Sequence, residues 1–482
     1  MRSALGRGTS TSTIPRTEVR VSTAAPAVGL TIAVVSIGIF MTILDLFIVN
    51  VAFPAIQRDF AGTSLSGLSW ILNGYAIVFA ALLVPAGRLA DRSGQKRGFL
   101  FGLILFTVAS ALCAAATGPV TLVAARVLQA AGAAALTPTS LALLLNAVPA
   151  ERRPWAIGIW TAVGAMAAAA GPTIGGLLVS ASWRWVFLVN VPIGVVSSLV
   201  AARVLREHRN DASDRRPDLL GALFLTAAIA ALALGLVEGP DWGWGSARIV
   251  GAFAAAVAFA AGFAWRSARH PSPIVEPALL RVRSFATATV AALLFNAAFA
   301  IMLLSLVQFM SGVWGYSALR TGLAISPGPL VVSLIATRGQ ALARRWGSAQ
   351  VAVLGTLLFA AGGIFWSANL GLQRDYAADL LPGLLVAGLG FAFALPVLLT
   401  TATRSLPPQR FATGSAVVTM ARQIGTVLGV SLLIVFLDNA GGDVIGAFHE
   451  SWRVMAAVAG AAALACAALW RGSAVAKSEQ GR

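Results

Sequence analysis

Long apolar runs separated by short polar turns dominate this chain. Fourteen such runs begin near residues 30, 67, 98, 119, 155, 185, 218, 247, 284, 321, 348, 377, 411 and 452. Each is of the ~20-residue length a helix needs to cross a hydrocarbon layer. None has the in–out alternation over ~10 residues of a membrane-barrel strand. The pattern predicts an all-α integral membrane protein with fourteen transmembrane helices. The turns carry charge unequally. One set holds Arg88, Arg92, Lys96 and Arg97, then Arg152 and Arg153, then the arginines between Arg203 and Arg216 and between Arg266 and Arg283, and finally Arg338, Arg344, Arg345, Arg404 and Arg410. The alternate turns hold little beyond Arg58, Arg184, Arg248, Arg320, Arg374 and Arg453. Positive charge collects on the cytoplasmic side. Both termini are therefore expected in the cytoplasm, with the protein in the inner (plasma) membrane. An even number of crossings predicts the same.

Composition sharpens this picture. Hydrophobic residues fill 58% of the 482 positions and charged residues 11%, with a mean hydropathy of +0.83, outside the range of soluble domains. The net charge of +17 does not point to nucleic acid, because the arginines lie in short turns between apolar runs. Cys113 and Cys466 fall inside apolar runs and predict free thiols. The first run is too long, and too poor in small residues at a cleavage point, for a removed signal peptide. Residues 1–29, with Arg2, Arg7, Arg16 and Arg20, are expected to stay as a cytoplasmic tail. Tryptophans mark the run ends: Trp70, Trp183, Trp185, Trp242, Trp244, Trp314 and Trp452 at one boundary, and Trp155, Trp265, Trp346 and Trp470 at the other. That is the pattern of an interfacial anchor belt. His208, His270 and His449 lie in turns or at run ends, so neither a metal site nor a cofactor is expected. No GxxxxGK[ST] phosphate loop is present, which excludes ATP as the energy source.

The chain repeats itself. RLADRSG at 88–94 returns as ALARRWG at 341–347, an offset of 253, and the runs starting near 30 and 284 share almost the same offset. Two homologous bundles of six helices fit this spacing. The expected organisation is a tail over 1–29, a first bundle over 30–205, a linker with two inserted helices over 206–283, a second bundle over 284–470 and a tail over 471–482.

The run from Gly29 to Phe53 contains one ionisable residue, Asp45. A carboxylate inside a spanning helix costs roughly 2.5 kcal/mol or more, which marks it as a candidate for proton or cation handling. The alternative is a structural carboxylate that holds helices together. The fourth run carries Arg126. At 1.5 Å of rise per residue, Asp45 lies roughly 12 Å and Arg126 roughly 10 Å from the same boundary. Equal depth allows the two to pair, either as a proton-coupling unit or as a static ion pair. Asn50, Asn73, Gln129, Asn296, Gln308 and Arg422 are further polar positions inside runs and the candidates for a substrate cavity. The bland reading of the amides is helix–helix hydrogen bonding.

Several motifs accompany these residues. GRLADRSGQKRG runs from Gly87 to Gly98, between the second and third spans. LVAARVLQAAG surrounds Arg126, and GPTIGG runs from Gly171 to Gly176. Pro172 removes a helix hydrogen bond and the glycines permit close helix approach. Together with LDLFIVNVAFP around Asp45, WRWVFLVNVPIG at 183–194, LVQFMSGVWGYSALRTGLAISP at 306–327 and MARQIGTVLGVSL at 420–432, they resemble the major facilitator superfamily. The resemblance is to its fourteen-helix drug:proton antiporters of the QacA/EmrB type, over about residues 30–470. It implies the major facilitator fold and alternating access. It also implies a proton-coupling role for Asp45 with Arg126, and an antiporter motif at Gly158, Gly171, Pro172, Gly175 and Gly176. A conformational latch at Gly87, Asp91, Arg92 and Gly94 would meet the electropositive start of the thirteenth helix. Ala130 and Ala167 stand where the family patterns usually have glycine. Arg344 occupies the repeat position of Asp91, and the second bundle has no counterpart of Arg126.

The function this implies is export of small hydrophobic or amphipathic compounds in exchange for protons, by a functional monomer in the lipid bilayer. Uptake or facilitated diffusion of a metabolite is the alternative within transport. A membrane enzyme would need clustered His, Asp or Ser at an interface, which the chain lacks. A channel would need rings of repeated residues.

Overall fold

The computed structural model describes residues 25–209, 218–404, 406 and 410–480. The N-terminal tail arginines, and Arg215 and Arg216 of the linker, lie outside the described residues. Among those described, fourteen helices are long and apolar enough to span a membrane. We number them in chain order. The first six are α1 (Ala25–Asp59), α2 (Leu65–Ser93), α3 (Gln95–Ala114), α4 (Pro119–Ala147), α5 (Arg153–Ala181) and α6 (Trp185–Val204). The two inserted helices are α7 (Leu219–Val237) and α8 (Ala247–Arg269). Then follow α9 (Arg283–Gly312), α10 (Ala318–Trp346), α11 (Ser348–Asn369), α12 (Tyr376–Arg404), α13 (Phe411–Asp438) and α14 (Val444–Gln480).

Local chemistry sets many of the ends. The side chains of Ser64, Asp218, Ser246 and Ser317 accept backbone N–H groups at the starts of α2, α7, α8 and α10. Proline opens α4 and glycine closes α2. Helix α1 does not stop near Phe53 as the sequence suggests. Phe53 and Ile56 are fully buried, and this packing carries the helix through Pro54 to Asp59. Asp45 therefore lies fourteen residues, roughly 21 Å, from the helix end, deeper than expected. Residues 471–480, expected as a tail, continue α14.

The two halves pack alike. In the first, α1 lies on α5, α3 on α4, and α2 on α4; in the second, α9 lies on α13, α11 on α12, and α10 on α12. The repeat extends to single residues. Gly94 and Gly347 both adopt positive φ, 119° and 109°, and their N–H groups close the preceding helices on Ala90 O and Ala343 O. Only glycine adopts this backbone without strain. The bundles meet along two seams, α2 against α13 and α5 against α10, which exchange under the repeat. The inserted pair packs α7 on α8, and α7 also touches both α2 and α13, so it lies across one seam.

The tryptophan belt needs correcting. Trp155, Trp185, Trp242, Trp244, Trp265 and Trp346 are exposed, as lipid anchors should be. Trp183, Trp314 and Trp452 are buried instead, and their indole N–H groups donate to Asp59, to Gly371 O and to Ser305. They pin helix ends together from inside. A large ring at a run end satisfies either role, and periodicity alone does not separate them.

Candidate functional site

At the middle of the first bundle, α1 contributes Asp45 and α4 contributes Arg126 and Gln129. Asp45 is 0% and Arg126 1% exposed. Arg126 Nη1 donates to Asp45 Oδ2 at 2.5 Å and to Gln129 Oε1 at 2.6 Å, and its Nε donates to Ile71 O at 3.2 Å. Gln129 Nε2 donates to the other carboxylate oxygen, Asp45 Oδ1, and to Ser110 Oγ, both at 2.9 Å. The guanidinium lies 4.1 Å from the Tyr75 ring centroid and 5.8 Å from that of Phe187. Both rings lie within cation–π range of the guanidinium.

Each oxygen of Asp45 is held by a separate donor. A proton on Asp45 would cancel the charge that faces Arg126. Removing one partner of a buried ion pair leaves the other charge uncompensated, at a cost of roughly 3–5 kcal/mol. The sequence placed Gln129 in a cavity wall; the structure places it inside this cluster, 0% exposed. Tyr75, Ser110 and Phe187 were missed. Their signal, a polar or aromatic residue inside a run, is shared by many positions that do nothing of the kind.

The other predicted cavity residues are dispersed. Arg422 of α13 donates from Nε to Asn296 Oδ1 at 3.2 Å, and Asn296 Nδ2 returns a bond to Arg422 O at 2.9 Å and one to Thr426 at 2.6 Å. These partners of Arg422 are neutral. Asn50 bonds Leu46 O within α1. Asn73 of α2 crosses to Ser431 of α13 at 3.3 Å, and Gln308 of α9 crosses to Gln57 of α1 at 3.2 Å. The Gln308 contact lies at a cavity of about 420 Å³ on the face opposite the arginine-rich turns.

The glycine motif of α5 forms the second seam. An added Cβ at Gly171 or Gly175 would strike α1 at Phe47 or Ile48. One at Gly176 would lie 2.5 Å from Ala318 O of α10, and one at Gly322 would overlap the carbonyl oxygen of Pro172. Thr173 and Ser326 hydroxyls meet across the same seam at 2.6 Å. Gly158 does not share in this: nothing lies within 4 Å of its Cβ position. Continuing these stripes toward the arginine-rich face, Met166 of α5 is 59% exposed and Leu330 and Leu334 of α10 are 53% and 73% exposed. The seam is closed by backbone contact at the glycines, and these side chains nearer the arginine-rich face are exposed.

In the turn motif, Gly87 lets α2 approach Pro138 of α4. Gly94 carries the positive φ described above, and a Cβ there would also strike Glu207. Asp91 accepts from Gln95 at 3.1 Å, Gln95 accepts from Asn146 of α4, and Arg92 is exposed. Asp91 therefore has partners on its own bundle. The arginine of this motif that reaches toward α13 is its neighbour Arg88, through Glu276.

Comparison with known proteins agrees with this architecture. The sequence pattern of the Major Facilitator Superfamily matches residues 35–430. The chain is 36% identical over 408 residues to the multidrug resistance protein Stp of Mycobacterium tuberculosis, covering 84% of this chain and 75% of the relative. It is 33% identical over 438 residues to the tetracenomycin C resistance and export protein of Streptomyces glaucescens, covering 89% and 80%. The methylenomycin A resistance protein of Streptomyces coelicolor is 32% identical over 416 residues, covering 85% and 86%. Among solved structures, a peptide transporter, POT, in complex with sulfate superposes with a TM-score of 0.66 at 16% identity, over 92% of this chain and 95% of that one. A bacterial homologue of the human lysosomal transporter Spinster, inward-facing and unoccupied, superposes with a TM-score of 0.64 at 17% identity, over 93% and 98%. These two likenesses concern the fold alone. The chain belongs to the major facilitator superfamily and is a multi-pass membrane efflux transporter, not an enzyme.

Proposed function

We propose that the protein exchanges protons for small hydrophobic or amphipathic compounds across the plasma membrane, with Asp45 as the proton carrier and Arg126 as its counter-ion. The observation that carries this reading is the sealed Asp45–Arg126–Gln129 cluster. A carboxylate so costly at membrane depth persists where its titration is used. The arginine-rich face is cytoplasmic on this reading, and the exposed side chains of α5 and α10 near that face fit an inward-open seam. Asp45 is paired with Arg126 there. When the other face opens, protonation releases Arg126 and drives the return step. One charge moved across the membrane potential is worth roughly 2.3 kcal/mol per 100 mV, enough to drive uphill export.

The substrate class follows from charge. Arg126 already neutralises Asp45, and Arg422 has neutral partners. The balance favours neutral or weakly acidic amphiphiles. Relatives named for multidrug, tetracenomycin C and methylenomycin A resistance support an antibiotic-like substrate. In everted vesicles, accumulation of such a compound should stop within seconds when a protonophore collapses the proton gradient. Extrusion that continues unchanged would favour a proton-independent facilitator.

A further inference from the structure

The two inserted helices have no place in the exchange just described, yet their return linker joins both bundles. Glu276 lies in that linker, between α8 and α9. Its carboxylate is 4.0 Å from Arg88 Nη2 on α2 and 3.6 Å from Arg410 Nε just before α13. Arg88 Nη1 also donates to Ser272 O at 2.6 Å and to Ser272 Oγ at 2.8 Å. The linker is anchored by Ile274, Val275 and Leu279, all buried in the core where α2, α7, α9 and α13 meet. At the opposite face the insert is tied again, because Ser66 of α2 donates to Asp241 between α7 and α8. The insert is therefore fixed to α2 at both ends, and its return linker reaches the start of α13 through the Glu276 carboxylate.

We infer that this linker is a tie across the α2–α13 seam and that Glu276 is its positioning residue. The inference rests on the alternating-access reading above. Two arginines, one from each bundle, repel as the arginine-rich ends converge, and Glu276 between them turns that approach into attraction. At 3.6 and 4.0 Å both pairs are longer than hydrogen bonds, so convergence of those ends strengthens them. The tie favours closure of the arginine-rich face.

The test uses thiol labelling without substrate. Ser333 continues the stripe of α10 that meets α5 and is exposed, while native Cys113 and Cys466 are buried. In a Ser333→Cys background, Glu276→Gln should raise the maleimide labelling rate from the arginine-rich face about fivefold, the effect that partly exposed ion pairs support. Glu276→Asp should restore most of the original rate, and Arg410→Gln should shift it in the same direction as Glu276→Gln. In transport, Glu276→Gln should lower kcat and leave substrate affinity unchanged. A labelling rate that stays the same or falls in both Glu276→Gln and Arg410→Gln overturns the tie. If proton-coupled export persists in that case, the transport reading stands without it. A raised labelling rate in a protein that shows no proton coupling would support the tie and count against the transport reading.

Discussion

Asp45→Asn should abolish uphill export while leaving downhill substrate exchange in place. The amide keeps the size of the side chain and cannot carry a proton between faces. It also leaves Arg126 buried without its counter-charge, at a cost of roughly 3–5 kcal/mol. The yield of folded protein should therefore fall. Replacing both partners, as Asp45→Asn with Arg126→Gln, should recover yield without recovering export, because it removes the stranded charge and the titrating group together. The measurements are monodisperse yield, substrate binding to the folded fraction, and transport in vesicles with and without a pH gradient. Gradient-driven export by the folded single variant would remove Asp45 from the proton path.

Gly322→Val should be the most damaging change at the second seam. Its Cβ would overlap the carbonyl oxygen of Pro172, so α10 must move away from α5. Overpacking of this kind costs roughly 1–3 kcal/mol. Charged against one end state of a two-state equilibrium, that is about a 5- to 150-fold shift. The face opposite the arginine-rich turns should fail to seal, and export should fall with a passive proton leak. Pro172→Ala should do less, since it keeps the carbonyl and restores an N–H for Ala168 O, straightening the helix. Gly158→Ala, inside the same motif, should change nothing, because no atom lies within 4 Å of the added carbon. Vesicles loaded with a pH dye and given a proton gradient without substrate separate these variants. Equal leak from Gly158→Ala and Gly322→Val would show that the seam does not depend on backbone contact.

Much of the fold is written in one dimension and could be read there. Run length located the spans, and the 253-residue offset pairs Gly94 with Gly347, which share a positive φ. Depth along a helix is also one-dimensional, and it put Asp45 and Arg126 at one level even though α1 was expected to end near Phe53 and runs to Asp59. What remained hidden is azimuth. Gln129 is three residues from Arg126 and shares its face, but the sequence does not say whether that face meets α1 or a water-filled cavity. The same ambiguity covers Trp183, Trp314 and Trp452, which lie at run ends and point inward. Helix α1 outran its expected end because burial of Phe53 and Ile56 outweighs the break at Pro54. Glu276 carried no signal at all. An acidic residue in a polar linker is ordinary, and only the meeting of α2, α13 and the insert gives it two arginines.

The central claim is that substrate and proton compete through the buried cluster around Asp45. Its most direct test is proton release on substrate addition to the purified protein in weakly buffered detergent solution, followed with a pH dye at a pH where the substrate-free carrier is protonated. The account predicts release that saturates with substrate binding in the wild type and is absent in folded Asp45→Asn. Saturable binding with no proton release in the wild type, or release undiminished in Asp45→Asn, would contradict it.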